Sequence, residues 1–191
     1  MLERPANREH ESTGTNPLQQ IHLGFWVEDS FTLNVPGKRG RSVLADAEKQ
    51  LKSFIDKFEP KNQALIRAIR KALRKRLPTA NELAYDNYNF FALGYCSTER
   101  PSDCILSVAA GATGVGLSFY RGASLPDPHK MLLGSGNQNR FIRMPSAEML
   151  GRPEVEALIA AAVAQAKTPL LARGGGKLII RSVSAKQRPR R

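Results

Sequence analysis

The chain of 191 residues has little of what several protein classes require. It contains two cysteines, Cys96 and Cys104, which are too few for a disulfide framework. No stretch of about eighteen apolar residues occurs, so no segment is predicted to span a membrane. The first residues lack an apolar core after a basic start, which argues against a signal peptide. These absences predict a cytoplasmic protein with reduced thiols.

The residue types that carry most enzyme and metal chemistry are sparse. Its histidines, His10, His22 and His129, are scattered, and no Cys or His pair has metal-ligand spacing. No nucleophile, base and orienting residue form a recognisable set, which argues against a triad hydrolase. The glycines of segment 111–116 have the wrong spacing for a nucleotide site and join two predicted strands, so they indicate a hairpin turn. We therefore expect a non-enzymatic protein without a cofactor.

The two cysteines flank a polar connection of seven residues. A cross-strand pair would place Cys96 and Cys104 near each other, but spacing alone does not determine the geometry of two thiols. The alternative is two separate, half-buried thiols, and this is the interpretation that we prefer from the sequence.

Acidic residues are outnumbered by basic ones, 17 to 29, which gives a formal net charge of +12. The excess is confined to residues 61–77, with a net charge of +7, and residues 167–191, with +8. A localised excess favours contact with a polyanion, whereas the alternative is a solvated helix face and an unstructured tail. The candidate polyanion-binding residues are Arg67, Arg70, Lys71, Arg74, Lys75, Lys186, Arg188, Arg190 and Arg191.

Apolar residues recur at helical spacing from Leu44 to Phe58, from Leu65 to Leu77 and from Pro153 to Ala166. Between the second and third of these segments lie short apolar runs without helical crossovers, which indicate antiparallel strands. The predicted fold is therefore α+β, a small antiparallel sheet packed with helices in the order helix, helix, strands, helix. The predicted strands are 83–95, 105–110, 115–120 and 141–144.

The domain limits follow from the same patterns. Residues 1–43 are predicted to be a poorly ordered extension, in which the alternation over residues 21–35 suggests a hairpin. Residues 44–166 form the predicted domain. Residues 167–191 form a basic C-terminal tail, with an edge strand at 177–181 as one alternative.

Two polar features stand out in the strand region. Asn87 and Asn89 interrupt an aromatic-rich strand, and buried amides there either join the sheet to a loop or line a pocket. Further along, a glycine loop precedes Arg140, an arrangement suited to a carboxylate or phosphate unless the arginine pairs with Asp127. The candidate ligand-binding residues are Tyr85, Asn87, Asn89, Gly134, Gly136, Arg140 and Arg143.

The stretch from Leu117 to Met144 resembles the YdhG-like family, a bacterial domain of unknown function. The resemblance covers about residues 44–166 and implies a small α+β fold with helices against an antiparallel sheet. One member group is described as a frataxin-like iron chaperone, so it also implies iron delivery. The motifs that carry the resemblance are Leu77-Pro78, Glu82–Phe91, Leu117–Gly122, Leu125-Pro-Asp-Pro128, Gly134-Ser-Gly136 and Arg140-Phe-Ile-Arg143.

Iron is disfavoured as a ligand by the charges of the first predicted helix. Frataxin-type binding depends on an acidic ridge, because iron prefers carboxylate oxygens. The carboxylates of this helix are interleaved with lysines, and the next helix is basic. The sequence therefore predicts a non-enzymatic cytoplasmic module for a small anionic ligand, with an iron chaperone and a non-specific nucleic-acid-associated protein as alternatives. The charged residues of the helix are Asp46, Glu48, Asp56 and Glu59, with Lys49, Lys52 and Lys57.

Overall fold

The computed structural model describes residues 40–190, with side chains from Leu44 onward. The hairpin predicted for residues 21–35 and the candidate Arg191 lie outside the described residues. Within them the chain forms α-helices and strands in the predicted order. The helices are α1 (Gly40–Ile55), α2 (Pro60–Arg76) and α3 (Pro153–Ala164). The strands are β1 (Asn81–Asp86), β2 (Phe90–Cys96), β3 (Cys104–Gly111), β4 (Gly114–Phe119), β5 (Arg140–Arg143) and β6 (Leu178–Val183).

Proline sets the starts of two helices. Pro60 and Pro153 occupy the first turns of α2 and α3, where a missing N–H has no helical partner to lose. The last turn of α2 carries three cations, which interact favourably with the negative end of the helix dipole. Its buried stripe consists of Ile66, Ile69 and Leu73. These features explain why the helical prediction holds.

The strands form one sheet in the order β5-β4-β3-β2-β1-β6. Each neighbouring pair is antiparallel except β1 and β6, which run parallel. This arrangement confirms the predicted α+β class with a mostly antiparallel sheet packed with helices. The edge strand β6 occupies the part of the tail where the sequence left a strand as an alternative.

The aromatic-rich segment 83–95 is two strands, and the single strand predicted there is wrong. β1 and β2 form a hairpin in which Asp86 pairs with Phe91, and the Asn87 N–H donates to the Phe90 carbonyl at 3.0 Å. Asparagine suits such turns because its side chain competes for nearby backbone groups. Asn87 and Asn89 therefore lie at the tip of a hairpin.

The two faces of the sheet have different neighbours. The face that carries Phe91, Leu93 and Tyr95 packs with the three helices in the main hydrophobic core. Because side chains alternate along a strand, Ala92, Gly94 and other β2 residues point to the opposite face. We call this opposite side the second face; its members include Leu83, Tyr85, Phe90, Ala92, Gly94, Cys96, Cys104, Ser107, Ala109, Gly116, Ser118 and Phe141.

The domain extends past the boundary predicted at residue 166. Leu178 of β6 is buried in the main core, and β6 pairs with β1 along most of its length. After β6, the Ser184 N–H donates to the Asp86 carbonyl and the Arg188 N–H to the Tyr88 carbonyl, both at 2.8 Å. Residues 178–183 of the tail are thus part of the sheet, as the edge-strand alternative predicted.

Candidate functional site

The structure does not bring the predicted ligand-binding residues together. Three strands separate β1 from β5, so Tyr85 and Arg140 are about 19 Å apart across the sheet at the usual strand spacing. Arg140 pairs with Phe119, at the opposite end of the strands from the β1–β2 turn. The pocket predicted from both groups is therefore corrected to two separate regions, because neighbours in sequence are not neighbours in the sheet.

Arg140 closes the glycine loop on itself. Its guanidinium donates to the carbonyl oxygens of Gly136 and Asn139, the second at 2.8 Å. The Asp127 carboxylate instead accepts the N–H groups of Met131 and Leu132 at 2.9 and 2.8 Å. Within the described residues Arg140 has no ion pair, so the predicted pairing with Asp127 is replaced by bonds to carbonyls.

The remaining residues of this loop do not line an enclosed site. Gly134 adopts a φ of 105°, which favours glycine, and lies beside the Phe141 ring. Gly136 and Arg143 are exposed. Of the predicted residues, the structure therefore groups Gly134, Gly136 and Arg140 in one surface loop.

Strand β1 carries two buried carboxylates on its helix-facing side. Glu82 is 3% exposed and Asp86 is fully buried. Buried carboxylates require ionic or hydrogen-bonding partners, because losing hydration costs several kcal/mol per ion. Sequence analysis missed both; the available signal was two carboxylates on the same face of a short strand, four residues apart.

Glu82 is neutralised by α2. Arg70 donates from Nε to Glu82 Oε1 at 2.9 Å and from NH2 to Oε2 at 2.6 Å. The same guanidinium binds both oxygens of Glu48 on α1 at 2.8 and 2.7 Å. This bond from Arg70 lowers the pKa of Glu48, while burial and then the Glu82 charge raise the pKa of Tyr95 well above its ordinary value. Arg70 thus ties two helices to the sheet.

Asp86 is neutralised by a lysine that follows α1 and by side chains of the C-terminal tail. Its Oδ2 accepts Lys57 Nζ at 2.5 Å and Gln187 Nε2 at 2.6 Å. Arg190 NH2 lies 2.6 Å from Asp86 Oδ1, and the guanidinium stacks 5.2 Å from the centre of the Phe58 ring. This cluster fastens the C-terminal tail to the β1–β2 hairpin.

Two of the predicted polyanion-binding residues are therefore structural. Arg70 and Arg190 are largely buried, with side chains 15% and 1% exposed, and each pairs with an internal carboxylate. Neither guanidinium is accessible to a polyanion without breaking these pairs. Their assignment to a polyanion surface is corrected accordingly.

Other candidates remain on the surface. Arg67 pairs with Asp56, and the half-exposed Arg74 lies 3.1 Å from Glu48 and 3.4 Å from Glu82. Lys186 and Arg188 are exposed on the tail. In the described part of the chain, three exposed lysines of α2 have no carboxylate within 4.0 Å: Lys61, Lys71 and Lys75.

These three lysines share one face of α2, which we call the lysine row. The exposed Ala64 and Ala68 fill the spacing between Lys61 and Lys71, so the row follows the alternate three- and four-residue steps of a helix surface. From Lys61 to Lys75 it spans about 21 Å at the helical rise per residue. Sequence analysis missed Lys61, although its spacing from Lys71 and Lys75 was the signal.

The cysteines form the cross-strand pair that the sequence left as an alternative. Cys96 and Cys104 are paired at a bulge between β2 and β3; both are free thiols and buried. The hydrogen bond to Cys104 and burial raise the pKa of Cys96 far above its ordinary value. Protonated, covered thiols are poor nucleophiles and poor metal ligands. The pair therefore supplies no reactive site in this state.

Over residues 40–190, no three His, Cys, Asp or Glu side chains form a group that could hold a metal ion. No helix in the same range is long and apolar enough to cross a membrane. Comparisons of the chain with protein-family models, with curated proteins and with solved structures found no match.

Proposed function

We propose that the protein is a non-enzymatic binding module that contacts a polyanion, most simply a nucleic-acid phosphate backbone, through the lysine row. The observation that carries this proposal is the row itself: Lys61, Lys71 and Lys75 are exposed, aligned and without carboxylate partners among the described residues. Its neighbour Arg74 is half exposed and adds positive charge at the same surface. Unpaired ammonium groups release counterions when they neutralise phosphates.

The internal ion pairs make this surface rigid without using its lysines. Arg70 points inward to Glu48 and Glu82, one helical position before Lys71, which points outward. Successive helical positions differ by about 100° around the helix axis, so Arg70 and Lys71 point in different directions. The inward arginine holds α2 in place, and the outward lysines remain available.

Binding of this kind reads phosphate and not base sequence. Lysine is a flexible point charge without the planar fork by which arginine recognises guanine edges. The positions between the lysines on this face are Ala64 and Ala68, which offer no ring for base stacking. We therefore propose non-specific, salt-sensitive association.

The two alternatives have less support. A small anionic ligand loses its predicted pocket, because Tyr85 and Arg140 are separated by the sheet. For iron, Glu48 on α1 and Asp56 just after it are each bound to an arginine of α2, so two of the four carboxylates expected to form the ridge are shielded.

The test is fluorescence anisotropy with a labelled DNA duplex at several salt concentrations. The variant Lys71→Ala/Lys75→Ala should weaken binding and reduce the slope of log K against log salt by about 2. The matched control, Lys49→Ala/Lys167→Ala, removes the same charge from exposed positions outside the row. Equal losses in both variants, or affinity that does not depend on salt, would show that the row is not the contact surface.

A further inference from the structure

No helix of the described residues 40–190 packs on the second face of the sheet, yet its side chains are covered. Leu83 and Cys96 have no exposed surface, and Phe141 is 3% exposed. The three helices all pack on the other side, in the main core. A leucine or phenylalanine on a bare sheet face would keep much of its outer surface in water, because strand neighbours cover only its sides.

Among residues 40–190, the neighbouring strand side chains, including Arg181 beside Tyr85, supply only part of this cover. Leu83, Tyr85 and the two cysteines form a cluster whose other apolar contacts, Phe90, Tyr120 and Ile179, belong to the strands or their ends. A second cluster joins Phe90 and Phe141 over Ala109. Phe90 and Tyr120 are only partly buried, but Leu83, Tyr85 and Phe141 are buried and need a cover of their own.

The described connecting segments pack mostly elsewhere; the exception is Gly134, which lies beside the Phe141 ring at the β5 edge of this face. Met131, Leu132 and Leu170, the partly buried apolar residues of the two long connections, lie against the main core. The tail after β6 reaches Asp86 and Phe58 on the helical side. Among residues 40–190, no apolar side chain outside the strands and their immediate ends joins the two clusters of the second face.

We propose that residues 21–35 of the same chain pack on the second face and cover it. This goes beyond the polyanion contact and does not depend on it. The preceding thirty-nine residues end where α1 begins, at Gly40. Helix α1 packs against β6, the edge strand, so the chain enters the domain at the edge from which the second face is reached. A sheet of six strands is about 24 Å wide, a distance that roughly eight extended residues span.

The alternating apolar pattern of residues 21–35 suits packing on the second face. Ile21, Leu23, Phe25 and Val27 alternate with less apolar residues, and Phe31 and Val35 continue the pattern. An alternating segment presents one apolar side, which must be buried. The middle strands carry small residues on the second face, and large side chains can pack on them to interior density. These small residues are Ala92, Gly94, Ser107, Ala109, Gly116 and Ser118.

The reactivity of the two thiols reports whether the second face is covered. Cys96 and Cys104 are the only cysteines, and both lie in the second-face cluster. In the full-length chain, Ellman's reagent should react slowly with both. Removal of residues 1–39 should accelerate the reaction at least about tenfold while the thermal transition stays cooperative, since local exposure then replaces global opening. Removal of residues 1–19 should leave protection unchanged.

A matched pair of substitutions tests the segment without removing it. Leu23→Asp/Phe25→Asp places charges on its apolar side and should expose the thiols. Gln20→Asp/His22→Asp places the same charges on alternate positions and should not. Equal protection in both pairs, or thiols already reactive in the unmodified chain, would overturn the proposal.

A cross-linking experiment on the intact chain separates this cover from a second copy. A benzophenone side chain in place of Phe25 should form intramolecular links to peptides from β1 to β4. Links confined to the helices would contradict the proposal. Links only between two chains, with thiol protection that rises with protein concentration, would show that another copy covers the face.

Discussion

The substitution Arg70→Met should destabilise the fold more than the loss of any exposed cation. Arg70 is 15% exposed on its side chain, and the Glu82 carboxylate that it binds is 4% exposed. Methionine keeps most of the apolar volume but removes the charge. Among the described residues, Arg74 would then be the one remaining cation within 4.0 Å of the buried Glu82, at 3.4 Å.

The expected cost follows from this geometry. Removing one partner of a buried ion pair costs about 3–5 kcal/mol, because the other charge stays desolvated. Since Arg74 provides partial compensation, we expect the lower end, about 3 kcal/mol. For a domain of this size that loss lowers the melting temperature by roughly 6–12 °C.

The assay is urea denaturation of the full-length chain, with Lys71→Met as the matched control. Lys71 is exposed on the same helix, so its replacement should change the free energy of unfolding by no more than about 0.5 kcal/mol. The double variant Arg70→Met/Glu82→Leu removes both charges and should recover about 1–2 kcal/mol relative to Arg70→Met. This recovery distinguishes an unpaired charge from a packing defect.

The pH dependence should change in a defined direction. Glu48 has a pKa held below its ordinary value near 4.5, first by its hydrogen bond from Arg70. A lowered carboxyl pKa contributes stability that is present above pH 4.5 and is lost as the pH falls through the folded pKa. The difference in the free energy of unfolding between the native chain and Arg70→Met should therefore become smaller below that pH. A difference in the free energy of unfolding that does not change with pH would refute the reasoning. So would an Arg70→Met variant within about 1 kcal/mol of the native chain at neutral pH.

Three further predictions concern the tail and the sheet. Arg190→Ala should cost about 1–3 kcal/mol in urea denaturation because Asp86 Oδ1 loses its buried partner while Lys57 still neutralises Oδ2, whereas Arg188→Ala should cost under about 0.5 kcal/mol; equal losses would contradict an anchoring role. Gly176→Ala should cost about 1–3 kcal/mol or detach β6 in hydrogen exchange, since the new Cβ would clash with the Ala80 carbonyl group; a stable, protected β6 would disprove the close approach. Burial raises the pKa of Tyr85 to about 12, so stability should fall between pH 10 and 12, and an alkaline melting series in which Tyr85→Phe shows the same fall would exclude this group as the cause.

The helices and the fold class were predictable because they depend on local periodicity. Leu44, Leu51 and Phe58 recur at helical spacing whatever lies around them, and prolines mark the starts of α2 and α3. The hairpin at Asn87 was harder, because aromatic residues continue through the turn and obscure its limits.

The site depended on relations that a linear pattern does not contain. Strand order separates Tyr85 from Arg140, although both lie in segments with the polarity expected of a ligand site. Arg70 and Lys71 are neighbours of the same charge, yet one is buried against Glu82 and the other is exposed. Only the position of β1 against α2 distinguishes them, and that position results from long-range packing.

The parallel pairing of β6 with β1 constrains the order in which the molecule folds. β1 begins at Asn81, and its partner strand begins at Leu178, so the outer edge of β1 stays unpaired by β6 until about a hundred further residues have been made. Asp86 likewise gains its partner Arg190 only after synthesis has passed β6. Closing so long a loop is slow, and an unpaired strand edge invites association with other chains. We therefore expect the growing chain to associate with other chains most readily before β6 is made, even though β6 covers that edge of β1 in the finished sheet.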